Sequence, residues 1–238
     1  MITVSGKNNS AQAGFTVVEL LIATVVFALV LMVITSGIIH FTRSYYKGVH
    51  NSTTQKTARD VMGILSQNMQ YGGSKDNFNN AGEAAADDQY VCIGDVQIDY
   101  KLGAQLGTDS TYGVFITTKD STDGCQPYAS TMTGKELLAT NMRLTNLKVE
   151  KLTGGTNTNN LYTITVGIAY GDRDLLCSQT IGETSTGGCG ETAGELPADF
   201  DWFNSGASIG CRKGNASQFC AVSHLTTQVT ARFEPAGD

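Results

Sequence analysis

The sequence predicts an α+β fold: a long N-terminal helix, membrane-embedded in its first half and amphipathic in its second, packed on an antiparallel β-sheet head with a disulfide-stapled loop. Three observations lead there. An apolar run without a single Asp, Glu, Lys or Arg extends from Leu20 to Phe41. A proline-free stretch with one apolar stripe follows, from Thr42 to Tyr71. Beyond it lie most of the glycines, several alternating segments and all six cysteines.

The apolar run reads LLIATVVFALVLMVITSGIIHF. About 20 such residues span the hydrocarbon core of a bilayer as a helix. A buried core helix of a soluble protein is a poorer match, because this one is apolar on every side. A secretory signal peptide is the stronger rival. Its apolar region is shorter, follows basic residues and precedes a small-residue cleavage site. Here Lys7 is the only basic residue before the run, and Ala11, Ala13 and Gly14 lie on the wrong side of it.

In the next stretch Ala58, Val61, Met62, Leu65 and Met69 follow helical i, i+3, i+4, i+7 spacing. Arg59, Asp60, Ser66, Gln67 and Gln70 fall opposite them. The stripe is expected to pack on the head. Residues 51–57 are polar all round, which predicts a solvated connection between membrane and head. Gly72-Gly73 is the expected stop.

Residues 74–89 are rich in Ala, Asp and Asn and read as a loop. Val96 to Leu102, Tyr162 to Tyr170 and Leu225 to Phe233 alternate apolar and polar residues, as half-buried strands do. Tyr112 to Thr118, Leu137 to Leu144 and Leu147 to Leu152 are further candidates. No helical pattern separates them, which favours an antiparallel sheet.

Composition narrows the function. The chain has 238 residues, 41% of them hydrophobic, enough for one cored domain with an appendage. Its net charge of −6, from 22 acidic and 16 basic residues, does not suit a non-specific nucleic-acid binder. Cys92, Cys125, Cys177, Cys189, Cys211 and Cys220 form no Cys-x-x-Cys pair, so zinc and thioredoxin-like readings lose support. Disulfides outside the cytoplasm are the simpler reading. Many pairings are open. Cys177 follows one strong strand pattern and Cys220 precedes another, so a Cys177–Cys220 bridge is expected to hold the base of the long loop. Cys189–Cys211 would nest inside it, and Cys92–Cys125 would be the third.

Directly before the apolar run stands Gly14-Phe15-Thr16-Val17-Val18-Glu19-Leu20-Leu21-Ile22-Ala23. This resembles the cleavage and methylation motif of type IV pilins and type II secretion pseudopilins. The resemblance implies a cut between Gly14 and Phe15 by a membrane prepilin peptidase, with N-methylation of Phe15. It also implies an assembly role for Glu19, the fifth residue of the mature chain. In the family that carboxylate pairs with the N-terminal amine, here of Phe15, on a neighbouring subunit or within the free one. Physics alone offers a second account of Glu19, an acid at a helix start favoured by the helix dipole. Arg43, Tyr45, Gln55, Ala58 and Arg59, in a helix ending at Tyr71-Gly72, are similar to minor pilins and J-type pseudopilins. Two features depart from the family. The leader holds one lysine, and Thr35-Ser36-Gly37 stand where some major pilins carry a helix-kinking proline.

Other signals are weaker. His40, His50 and His224 form no hydrolase motif, and no catalytic residue, cofactor or metal is expected. Asp120, Asp123, Asp172 and Asp174 have calcium-type chemistry, but turn aspartates are commoner. Phe200, Trp202 and Phe203 in the cysteine-rich loop suit either an interface or packing beneath the loop. Asn51 and Asn215 head sequons.

The expected organisation is a leader over 1–14, a transmembrane half-helix over 15–41, an amphipathic half over 42–72 and an extracytoplasmic head over 73–238. The expected function is that of a structural minor pilin or pseudopilin, not an enzyme, in a type IV pilus-like or type II secretion filament. Its partners would be other pilin subunits, the prepilin peptidase and an inner-membrane assembly platform. The alternative is a tip adhesin whose 177–220 loop binds a surface, DNA or cargo; nucleic acid is expected nowhere else. The chain would reside in the cytoplasmic membrane, head outside, and then in a filament.

Overall fold

The computed structural model describes residues 14–72, 88–118, 128–152, 161–179, 189, 196, 200, 202, 208–213 and 217–232. The chain divides into two compact units, Met1–Ser44 and Tyr45–Asp238. One helix, α1 (Val17–Tyr71), supplies residues to both. It ends where the glycines predict. The Gly72 amide donates to the Asn68 carbonyl at 2.6 Å. A Cβ at Gly72 would lie 2.6 Å from that oxygen and 3.2 Å from the Ile93 carbonyl oxygen, so only glycine passes here.

In the first unit every described residue is exposed. The part of α1 in the second unit buries Thr54, Thr57, Ala58, Val61, Met62, Leu65 and Met69. The predicted stripe is therefore entirely inside. The predicted connection over 51–57 is solvated only in part: Ser52, Thr53, Gln55 and Lys56 are exposed, but Thr54 is 0% and Thr57 8% exposed. Both continue the same stripe at spacings of three and four, and threonine is small enough to be enclosed there.

Among the described residues nine strands follow: β1 (Asp88–Ile93), β2 (Val96–Lys101), β3 (Val114–Thr118), β4 (Gly134–Glu136), β5 (Met142–Lys151), β6 (Leu161–Tyr170), β7 (Leu176–Gln179), β8 (Ser208–Cys211) and β9 (Ala221–Thr230). They form three antiparallel sheets, ordered β1-β2-β3-β4, β5-β6-β9 and β7-β8. The expected strands over 96–102, 112–118, 162–170 and 225–233 correspond to β2, β3, β6 and β9, with Phe233 outside the described residues. β1 occupies the end of the expected loop over 74–89 and the residues just after it.

Of the candidates over 137–144 and 147–152, residues 137–141 are not strand, and the remainder is one strand up to Lys151. β5 runs through both, with an irregularity between Leu144 and Asn146. Met142 and Leu144 face the core before it, and Leu147 and Val149 after it. One extra residue reverses the side-chain alternation, so a bulge keeps both apolar sets inside. The facing position is Gly167, where a Cβ would stand 2.5 Å from the Thr145 hydroxyl.

The main core gathers the stem stripe with Val91, Ile93, Ile98, Tyr100, Val114, Met142, Leu144 and the inward residues of β6. A second, smaller cluster joins Ala169, Leu176, Leu196, Ile209 and Cys220. Trp202 packs against both.

The disulfides correct the expected nesting. The bridges are Cys177–Cys189 and Cys211–Cys220, not Cys177–Cys220 and Cys189–Cys211. The reason lies in the β6–β9 ladder. It closes the base of the loop by pairing Tyr170 with Ala221. That puts Cys220 beside Gly171, where a Cβ would lie 3.5 Å from the Cys220 Cα. The 3₁₀ turn Arg173–Leu175 then carries Cys177 away into β7, opposite Gly210. Each bridge closes a short segment, spanning 12 and 9 positions. Cys92 is also disulfide-bonded; Cys125, its expected partner, lies outside the described residues.

Candidate functional site

Gly14, Phe15 and Thr16 precede α1 and are not helical. A Cβ at Gly14 would meet nothing within 4 Å, and Phe15 is 77% exposed. The Gly14–Phe15 peptide bond is thus carried on accessible, non-helical backbone, the form a peptidase can take up.

The helix start is built by Thr16 and Glu19. The Thr16 backbone N–H donates to Glu19 Oε2 at 2.9 Å, and the Thr16 hydroxyl donates to the same oxygen at 2.9 Å. The Glu19 backbone N–H donates to Thr16 Oγ1 at 3.2 Å. This is a reciprocal capping box, which satisfies amides that the first turn leaves without helical partners. The signal was present as Thr16-x-x-Glu19, and the sequence reading passed over it. The box also fixes the carboxylate: Glu19 is aimed back toward the chain's N-terminal side, at the amide of the residue that follows Phe15. This is the geometry of an acid at a helix start.

From this cap to Phe41 the apolar side chains are exposed all round the helix. Its hydroxyls are absorbed locally: Thr24, Thr35 and Thr42 donate to the carbonyls of Leu21, Leu31 and Ile38. α1 is long and apolar enough to cross a membrane.

The other candidates are dispersed. His50 stacks on Tyr170 at 4.1 Å between ring centroids, and burial pushes its pKa below the ordinary histidine value. His40 lies on the exposed first half of α1 and His224 on β9. Asp172 accepts from Gln105 Nε2 at 3.1 Å, and the Asp174 backbone carbonyl accepts from Arg212. Asp120, Asp123, Phe203 and Asn215 lie outside the described residues, and Asn51 sits on α1. Among the described residues no group of three or more His, Cys, Asp or Glu is placed to hold a metal ion. Phe200 and Trp202 meet edge to face at 5.0 Å within the smaller cluster. Both are half-buried and pack against that cluster.

Sequence reading missed Arg143, which is 1% exposed. Its guanidinium donates to the Gly103 carbonyl, Gln105 Oε1 and the Gly171 carbonyl at 2.9, 2.8 and 3.3 Å. Burial lowers its pKa, and Asp109 nearby partly offsets this. Arginine keeps its charge regardless. It ties the start of β5 to the loop after β2 and to the end of β6, a structural role that no spacing announces.

Residues 9–35 match the prokaryotic N-terminal methylation motif. No curated protein and no solved structure matches the chain. The methylation motif spans Gly14, Phe15, Glu19 and the first part of the apolar run. It supports a type IV pilin-like subunit, processed by a prepilin peptidase and assembling with other pilin subunits. The apolar α1, the antiparallel sheets and the disulfide-bonded head agree with a pilin-like α+β fold. The motif and the apolar helix together fit a membrane-anchored, single-pass protein.

Proposed function

We propose that this chain is a minor pilin or pseudopilin, cut between Gly14 and Phe15, N-methylated on Phe15 and assembled through its apolar half-helix into a pilus-like or secretion filament. The observation that carries this is the methylation motif ending in an exposed apolar helix start. In the membrane the apolar faces are covered by lipid. In a filament, neighbouring helices would cover them. The head, stapled by disulfides, would face the oxidising side of the cytoplasmic membrane. The absence of proline between Phe15 and Tyr71, with α1 assigned as one helix, favours a minor subunit over the kinked major type.

Glu19 would act as a register device. After cleavage, a positive amine on Phe15 needs a partner in low dielectric, and an unpaired charge there is costly. Mass spectrometry of the N-terminal peptide from native cells tests the processing. The expected species begins at a methylated Phe15; an intact leader, or a cut after Phe41, overturns the reading.

Glu19→Gln separates the two roles of the residue, because glutamine still serves a capping box. Cleavage and membrane insertion should persist while recovery in sheared filaments falls as far as for Glu19→Ala. Wild-type recovery of the Gln variant would leave Glu19 as a cap alone.

A further inference from the structure

We infer that Thr16 is a positioning residue for the cut: its cap starts α1 two residues beyond the Gly14–Phe15 bond and so holds that bond out of the helix, where a peptidase can take it. The inference rests on the reading that the chain is processed at Gly14–Phe15. In an α-helix each amide donates to the carbonyl four residues back. Extending α1 toward the leader would therefore send the Glu19 amide to the Phe15 carbonyl. It would send the Val18 amide to the Gly14 carbonyl, the group a peptidase must attack. The cap diverts the first of these amides. The Glu19 N–H donates to Thr16 Oγ1 at 3.2 Å, and the next amide, Leu20 N–H, donates to the Thr16 carbonyl at 3.2 Å. Glu19 closes the stop from the other side, its Oε2 accepting from the Thr16 N–H and hydroxyl at 2.9 Å each. That N–H is the donor a longer helix would turn toward residue 12.

The rest of the junction does little to set where the helix begins. Phe15 and Val17 are 77% and 82% exposed, so packing does not hold the backbone there. Ala11, Gln12 and Ala13, on the leader side, are good helix formers, and Gly14 alone among these residues opposes a helix. Lengthening a helix that already exists avoids the cost of nucleation. The two side chains of the box therefore compete directly with helix formation across the cut.

Cleavage kinetics of the full chain test this, in mixed micelles with a prepilin peptidase and a varied mole fraction of substrate. Thr16→Val removes the hydroxyl at nearly constant volume. A smaller competent fraction weakens apparent affinity in proportion. KM should therefore rise about fivefold, the population change that a typical cap loss brings, with kcat unchanged. Thr16→Ser, which keeps a capping hydroxyl, should hold the parent KM. In the same micelles the Phe15 ¹³Cα resonance should move toward its helical position in Thr16→Val and stay in place in Thr16→Ser. An unchanged KM for Thr16→Val would overturn the inference. A raised KM without the helical shift at Phe15 would overturn it too, by making the hydroxyl a direct contact of the peptidase. A parent chain left uncut, or cut elsewhere than between Gly14 and Phe15, would instead overturn the processing reading.

Discussion

The two halves of α1 share a secondary structure and differ in everything that surrounds it. From Val17 to Phe41 no side chain is buried. Between Thr54 and Met69 seven are. The first half is apolar on all sides, so no single domain face could cover it, and only lipid or a ring of other helices can. The second half has one stripe, which shares a core with residues of the head. The comparison teaches that helix formation and helix burial are separate questions. The first is answered by local propensity and capping, the second by the width of the apolar surface.

The comparison breaks most sharply with matched substitutions. Leu65→Ala, at a 1% exposed position of the second half, should cost the head about 2–5 kcal/mol, seen as a lowered denaturation midpoint. Leu31→Ala, in the first half, should leave that midpoint unchanged. Equal effects would mean that the halves are not independent.

The converse test places a charge. Val30→Arg should cost about 2.5–3.5 kcal/mol of insertion near the centre of the span, read as a loss of carbonate-resistant membrane protein. Gln67→Arg, on the exposed face of the second half, should change neither membrane retention nor head stability.

A third test concerns the head that covers the second half. Replacing Cys177 and Cys189 together with serine should cost up to about 3 kcal/mol, as expected for a short closed segment. The loss should appear in thermal unfolding without altering membrane retention. Non-reducing peptide maps of the parent should join Cys177 to Cys189, and a Cys177–Cys220 peptide would refute the observed pairing.

The smallest effect sits where the stem meets the head. Burial lowers the pKa of His50 below its ordinary value of 6.5, so the folded state prefers the neutral ring. That contribution is complete above the unfolded pKa and is lost as pH falls below it. His224 carries a shift of the same sign and cause. His50→Phe should therefore reduce, by about 1 °C, the fall in melting temperature between pH 7.5 and 5 without abolishing it. An unchanged pH profile would show that the His50–Tyr170 stack does not couple to folding.

Much of this was legible without coordinates, because the signals were local. An uncharged run long enough to span a bilayer, a cleavage motif beside it, a stripe at helical spacing and a glycine stop each depend on residues close in sequence. β2, β3, β6 and β9 were legible for the same reason, through period-two alternation. Thr16 and Glu19 also announced their cap at a spacing of three.

Tertiary structure decided what depends on distant partners. The bulge in β5 hid one strand as two, since a phase reversal looks like an end until β6 lies alongside. Thr54 and Thr57 look solvated until the head encloses them. The cysteine pairing followed from the β6–β9 ladder, which closes the loop by backbone hydrogen bonds and leaves Cys177 and Cys220 to short-range partners. Arg143 became a structural tie only when Gly103, Gln105 and Gly171 converged on it, from 40, 38 and 28 positions away. Sequence spacing specifies a face or a cap, whereas these contacts are set by which backbone stands opposite, and that is fixed only when the sheets assemble.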